Sequence, residues 1–366
     1  MVSPLSTIAT PNYSIQIGNS ALDQLNSFLK RNKFSKILIL VDENTLQHCL
    51  PHVIMCVKNL AEAEVIELES GEKNKTIEVC VNVWRALSEL GADRKSLLIN
   101  LGGGVITDLG GFIASTFKRG IAFVNIPTTL LSQIDASAGG KTGVDLDGLK
   151  NEIGVFADPK ELFIFPGFLR SLPRRQMLSG FAEALKHGLI ADKSYWEKLK
   201  TVNLADDVSW DEIILRSVKI KSEIVENDPL ETGRRKVLNF GHTIGHALET
   251  FFLEGGEASL LHGEAVAAGM ICESWLSNQL GGLHENELEE ITQTLLKLYG
   301  GAHVNKISDH RLIELMRHDK KNSSGIINFT LLDTIGKAVI NKKAAAEDII
   351  EALNYYRYSV NSFFKK

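Results

Sequence analysis

The sequence predicts an α/β N-terminal domain followed by a mainly α-helical C-terminal domain. Three observations carry this reading. Before Pro127, short apolar runs alternate with helical spacings. A glycine triplet, Gly102 to Gly104, joins one such run directly to a helical pattern. From Pro173 onward helical periods dominate. The change of pattern sets the boundary, giving domains 1–170 and 171–366.

Taken in order, Lys36 to Val41 is a continuous apolar run, as in a parallel strand covered on both faces. Ala63 to Leu68 reads as a second strand, and Thr76 to Leu90 has helical spacing in Val79, Val81, Val83, Leu87 and Leu90. Ser96 to Leu101 is a third strand, running through the glycine triplet into a helix that starts near Val105. Ile121 to Ile126 is a fourth, ended by Pro127. Beyond the boundary, helices are predicted over Arg175–Ile190, Asp211–Glu226, His242–Phe252, Glu264–Gly281, Glu285–Tyr299 and Ala346–Ser359. Ile326 to Leu332 alternates as a strand and predicts a hairpin with Ala338 to Ile340.

With 366 residues, 44% apolar and 23% charged, the chain has material for two ordinary globular cores. Its net charge of −5 argues against a nucleic-acid partner, because phosphate contacts need clustered cations. No basic segment followed by an apolar one opens the sequence, and no apolar run approaches the roughly 18 residues that span a bilayer. Cys49, Cys56, Cys80 and Cys272 form no C-x-x-C pair, which fits reduced thiols in a cytoplasmic protein with no membrane partner.

The chemistry concentrates in a few segments. His242 and His246 stand four residues apart, on one face of a helix, and His262 follows in Leu-His-Gly-Glu264. These are zinc-ligand types, although Thr243 holds the place that a general-base glutamate takes in H-E-x-x-H. Glu183 and Lys186 lie in Gly180 to His187, with Glu183 on an otherwise apolar helix face, where a carboxylate must be paired, as in a salt bridge, or metal-bound. Lys221, Arg235 and Asn239 add polar groups suited to a substrate bearing phosphate and carboxylate.

In the first domain, the Gly102–Gly104 turn opens a helix and suits either an approaching phosphate or simply a tight strand-to-helix turn. It lacks the G-x-G-x-x-G fingerprint. Asp42 and Asn44 follow the first strand, where a carboxylate can take ribose hydroxyls or cap the next helix. Gly71 to Thr76, with Glu72 and Lys75, follows the second strand in the same way. Thr128 and Thr129 close the fourth, and Asp135 to Thr142 is a small-residue loop holding Asp135 and Lys141, with Lys150 and Asn151 beyond it. A lysine in such a loop fits a phosphate or carboxylate, but the P-loop spacing is absent.

Together these segments resemble the 3-dehydroquinate synthase family of sugar phosphate cyclases. The resemblance runs from Asp42 to Asp319-Lys-Lys321 and rests on G-G-G-V-I-x-D, P-T-T-L-L-S-Q-x-D, G-G-K-T, L-N-F-G-H-T-I-G-H-A and L-H-G-E-A-V-A-A-G-M, in that order. It implies a Rossmann-like NAD-binding α/β domain and an α-helical metal- and substrate-binding domain. The implied activity is conversion of 3-deoxy-D-arabino-heptulosonate 7-phosphate to 3-dehydroquinate, by transient NAD oxidation, phosphate β-elimination, re-reduction and intramolecular aldol closure. That is a step of the shikimate pathway.

The resemblance further implies Glu183, His242 and His262 as ligands of a divalent metal, zinc or alternatively cobalt. Spacing alone would pair His242 with His246; the family instead gives His246 a substrate or proton-relay role. NAD would be held by Asp42, Asn44, Glu72, Lys75, Gly103, Gly104, Asp108, Thr128, Thr129, Lys141 and Lys150. Asp135, Lys141, Lys186, Lys221, Arg235, Asn239 and His246 would act on the substrate, with Asn151 and Lys321 binding it. Arg119 would reach a neighbouring subunit's phosphate site, which implies a homodimer. Gly143 to Leu149 departs from the N-H-P-L-G type of insert expected between two substrate motifs, so the loop shape there is open. The rival readings are another sugar phosphate cyclase, a metal-dependent alcohol dehydrogenase, or a non-catalytic cofactor-binding remnant.

Overall fold

The computed structural model describes residues 5–146, 149–204, 206, 208–254, 260–301, 308–318 and 327–365. The chain divides into two compact units, residues 1–177 with 209–226, and residues 178–208 with 227–366. This division and the sequence boundary at 170/171 differ over residues 171–177 and 209–226.

The first unit is built on a seven-stranded sheet. Its strands are β1 (Ser6–Ala9), β2 (Ser14–Ile17), β3 (Ile37–Asp42), β4 (Glu64–Leu68), β5 (Leu97–Gly102) and β6 (Ala122–Pro127), with Glu161–Ile164 as the seventh. A separate antiparallel hairpin pairs β7 (Lys141–Leu146) with β8 (Leu149–Phe156), which makes the seventh sheet strand β9. The sheet order is β1-β2-β9-β6-β5-β3-β4, parallel throughout except for the β1–β2 pair. The helices are α1 (Ala21–Arg31), α2 (Glu43–His48), α3 (Leu50–Cys56), α4 (Ile77–Glu89) and α5 (Gly104–Thr116).

Alternation along β3 explains the continuous apolar run read from the sequence. Ile39 and Val41 join one core with Leu25, Phe28 and Val53 of α1 and α3. Leu38 and Leu40 join another with Val83 and Leu87 of α4 and Leu109 and Ile113 of α5. From β3 the chain moves outward to β4 and then back to β5 on the other side. That reversal makes the carboxyl ends of β3 and β5 a topological switch point, the usual ligand crevice of an open parallel sheet.

The remaining helices are α6 (Arg174–Ala191), α7 (Lys193–Leu199), α8 (Trp210–Asn227), α9 (His242–Glu254), α10 (His262–Leu280), α11 (Glu285–Tyr299), α12 (Asp309–His318) and α13 (Ala346–Phe363). Most of α8 belongs to the first unit, and most of α6 to the second. Within the second unit α10 is the central helix, packed by α9, α11, α13 and the hairpin of β10 (Asn328–Thr334) with β11 (Lys337–Lys343). Val266, Met270, Ile271 and Leu276 are buried on different sides of α10, as a central helix requires.

Among the described residues no helix is long and apolar enough to cross a membrane. All four cysteines are free.

Candidate active site

In the second unit, His242 is the first residue of α9 and His262 the first of α10. Glu183 lies within α6 and is fully buried. The Nε2 atoms of both imidazoles stand 3.6 Å from Glu183 Oε1. One donor atom from each of the three residues falls within 4.8 Å of the others. Donors sharing a tetrahedral zinc at roughly 2.0–2.2 Å are about 3.3–3.6 Å apart, a spacing that the two glutamate–imidazole distances already reach. The His246 ring lies 5.1 Å from that of His242 and 6.0 Å from that of His262.

The outward edges of the two imidazoles are also held. His242 Nδ1 faces the Phe240 carbonyl at 3.1 Å, and His262 Nδ1 faces Glu249 Oε2 at 3.2 Å. Burial opposes a charge on His262, but the Glu249 and Glu183 carboxylates outweigh it and push its pKa up to about 9. Lys186, almost fully buried, forms an ion pair with Glu183 Oε2.

Three backbone N–H groups hold the starts of the helices that carry His242 and His262. Buried Glu273 of α10 accepts the Gly241 N–H at 2.7 Å and the Ile244 N–H at 3.1 Å, capping the start of α9 from the neighbouring helix. Gly241 has φ +78°, and a Cβ on it would come within 2.5 Å of Met270 Cγ. Next to His262, the Gly263 N–H donates to Ser179 Oγ at 3.0 Å, and a Cβ on Gly263 would lie 2.5 Å from Ser179 Cα.

Arg235 and Asn239 belong to a short turn of residues 234–239 ahead of α9. Arg235 is buried and donates to the Pro229 carbonyl at 2.6 Å. Asn239 Nδ2 donates to Glu231 Oε1 at 2.8 Å. The Asp228 carboxylate gathers the backbone N–H groups of Thr232 at 3.0 Å, Gly233 at 2.7 Å and Arg235 at 2.9 Å. Burial alone would raise its pKa, but these donors hold it below the usual carboxylate range.

In the first unit the predicted residues gather at the carboxyl ends of the strands. Asp42 ends β3 and caps α2 through the Thr45 N–H at 2.8 Å; Asn44, two residues further, is exposed. Gly103 caps α5 with no side chain of its own, and a Cβ there would lie 3.1 Å from Thr129 Cγ2. Thr128 Oγ1 is buried with no hydrogen-bond partner among the described residues. A close backbone approach, an open helix start and an unsatisfied hydroxyl suit a phosphate-bearing ligand.

Lys75 ties several predicted residues together. Its buried ammonium donates to Asp108 Oδ2 and to Asn151 Oδ1, both at 2.6 Å. Burial alone would lower its pKa, but Asp108 and Glu72 hold it above the usual range. Burial raises the Asp108 carboxyl above its usual range although Lys75 beside it acts to lower it. Lys150 pairs with Glu72 at 3.2 Å. On either side of residues 147 and 148, which lie outside the described residues, β7 pairs with β8, and Asn151, at φ 53°, donates its N–H to Asp145 at 2.7 Å. Lys141 is exposed at the start of β7.

Lys221 of α8 donates to the Asp135 carbonyl at 2.6 Å and pairs with its carboxylate at 2.8 Å. Arg119 is exposed at φ 69°, in the turn after α5. Lys321, with Asp319 and Lys320, lies outside the described residues. No sequence signal singled out Asp228, Glu249 or Glu273, because their roles arise only from tertiary contacts.

Comparison with known proteins places this arrangement. The structure matches 2-epi-5-epi-valiolone synthase from Streptomyces hygroscopicus subsp. jinggangensis, solved with NAD+ and Zn2+, at TM-score 0.80 and 26% identity over 98% of this chain and 99% of that one. It matches a 2-deoxy-scyllo-inosose synthase, complexed with carbaglucose-6-phosphate, NAD+ and Co2+, at TM-score 0.83 and 23% identity over 96% of this chain and 100% of that one. The fold is that of the sugar phosphate cyclases.

The sequence narrows the class. Residues 65–179 match the 3-dehydroquinate synthase N-terminal model and residues 180–322 the C-terminal one. The 3-dehydroquinate synthase of Parabacteroides distasonis is 44% identical over 340 residues, 92% of this chain and 95% of the relative. That of Campylobacter concisus is 41% identical over 83% of this chain and 87% of the relative. The chain belongs to the 3-dehydroquinate synthase family.

Proposed function

We propose that this chain converts 3-deoxy-D-arabino-heptulosonate 7-phosphate into 3-dehydroquinate and inorganic phosphate, as a carbon–oxygen lyase of aromatic amino acid biosynthesis. Family membership supports the activity. The observation that carries the chemistry is the Glu183–His242–His262 donor set, with Lys186 and His246 beside it.

One carboxylate oxygen and two imidazole nitrogens are the donor count of a catalytic zinc site, which keeps a position open for substrate. Zinc or cobalt bound there supplies Lewis acidity toward adjacent substrate hydroxyls. NAD held by Asp42, Asn44, Glu72, Lys75, Gly103, Gly104, Asp108, Thr128, Thr129, Lys141 and Lys150 supplies a hydride acceptor restored within each turnover. The β-elimination needs a proton removed next to a transient ketone, and the departing phosphate can take it.

The protein's own groups then bind and orient. Lys221, its ammonium directed by Asp135, and Lys186 present cations to the substrate's anionic and carbonyl oxygens. Arg235, held by Asp228 through its backbone, fixes the phosphate-bearing sugar acid with Asn239, Asn151 and Lys321. His246 holds a proton at the phosphate beside the metal. The reading includes a cytoplasmic homodimer in which exposed Arg119 reaches the neighbouring subunit's phosphate site.

The test is an assay with heptulosonate 7-phosphate, zinc or cobalt, and NAD far below substrate. Equal yields of phosphate and dehydroquinate without NADH build-up are expected. No phosphate release from metal-loaded protein would overturn the reading, and stoichiometric NADH would mark a dehydrogenase instead.

A further inference from the structure

Glu249 has no part in the reading above, yet it touches one of its central groups. It sits on α9, seven residues after His242, and only 5% of its surface is exposed. A carboxylate so deeply buried must be held by partners or it would be strongly destabilising. Its Oε2 lies 3.2 Å from His262 Nδ1, on the first residue of the neighbouring helix. The other nitrogen of the same ring, Nε2, points to Glu183 at 3.6 Å.

The two imidazoles are therefore held in the same way by different acceptors. His242 has a backbone carbonyl at Nδ1 and Glu183 at Nε2. His262 has the Glu249 carboxylate at Nδ1 and Glu183 at Nε2. An ionised carboxylate accepts only, so it selects the tautomer with hydrogen on Nδ1. With hydrogen kept on Nδ1, Nε2 is the nitrogen left to ligate an ion beside Glu183. The contact also fixes the ring plane and makes Nε2 a stronger donor.

We propose that Glu249 is a positioning residue for the metal centre: it sets the tautomer and direction of His262 without ligating the ion itself. This rests on Glu183, His242 and His262 being the metal ligands. One rival use of the same atoms exists, since Glu249, His246 and His262 also bring donor atoms within 4.8 Å of one another. In that arrangement Glu249 would itself ligate a second cation together with His246 and His262. Stoichiometry separates the two.

The test is direct titration of the metal-stripped full chain with Zn2+ and with Co2+, reading affinity, ions bound per chain and the cobalt visible spectrum. Wild type should bind one ion tightly, and Glu183→Ala should abolish this; if Glu183→Ala binds like wild type, the underlying ligand set fails rather than the role of Glu249. With the ligand set intact, Glu249→Ala should still bind one ion, about 10- to 100-fold more weakly. Glu249→Gln keeps an acceptor but not the charge, and should fall between wild type and Glu249→Ala. It decides the matter if the alanine variant does not fold. Wild-type affinity in Glu249→Gln and Glu249→Ala would overturn the proposal. So would two ions in wild type falling to one in either variant, which would make Glu249 a ligand.

Discussion

The carboxylate of Glu273 accepts the backbone N–H of Gly241 at 2.7 Å, so a side chain on α10 fixes the residue that precedes His242 on α9. Gly241 has no side chain with which to cap the helix, and the cap comes from the partner helix instead. Truncating Glu273 to alanine orphans the buried donors of Gly241 and Ile244, at about 1–3 kcal/mol each. Denaturant unfolding should show a lower midpoint, and zinc titration a weaker site. An unchanged midpoint would mean that water replaces the carboxylate and that the cap is dispensable.

His262→Ala should lose tightly bound metal, because Nε2 is one of the two nitrogens facing Glu183. His246→Ala should keep the metal and lose turnover, by analogy with loss of a positioned proton carrier, typically 10²–10⁴-fold. Metal content by elemental analysis, alongside phosphate release, separates the two. Equal metal loss in both variants would refute the division of roles.

Lys75→Met should leave the Asp108 carboxylate without its cation in a buried setting, costing about 3–5 kcal/mol. The double variant Lys75→Met/Asp108→Leu should regain part of that loss, since no charge is then stranded. Unfolding of the single and double variants measures this. If the double variant is less stable than Lys75→Met alone, the cost does not come from the uncompensated charge. NAD binding, followed by quenching of intrinsic tryptophan fluorescence or by calorimetry, should be weakened in both.

Glu287 carries a pH dependence. Burial alone would raise its pKa, but the Thr334 hydroxyl at 2.6 Å and the Ile335 and His284 N–H groups hold it below the ordinary value. A depressed carboxyl contributes stability that is complete above its unfolded value, near about 4.3, and disappears as pH falls through the folded value. Stability measured from about pH 6 down to pH 3 should therefore fall less steeply in Glu287→Gln than in wild type. Parallel slopes would assign the acid sensitivity to other groups.

Much of the first unit was legible because its chemistry is local. β3, β5 and β6 announce themselves as continuous apolar runs, and the glycine triplet marks the β5–α5 turn. The short strands β1, β2 and β9 were not anticipated: four residues each give too little pattern, and their pairing is set by distant neighbours. The helix α1 was also missed, although its apolar face is regular.

In the candidate site, histidine type and order were readable, while the choice of which nitrogens converge was not. Helix spacing brings His242 near His246, whereas the approach of His262 to Glu183 depends on three helices meeting. Asp228, Glu249 and Glu273 look like ordinary surface acids in the sequence. Only burial and their partners distinguish them.

The contact between Gly263 and Ser179 has a further consequence. α6 carries Glu183 and α10 begins with His262, and at this point the two helices meet backbone to backbone. Even a methyl group at residue 263 would act as a wedge beneath the centre, spreading its donors without touching any of them. The spacing of the candidate donor set thus depends on a residue with no side chain, and a survey confined to histidines and acids would pass over it.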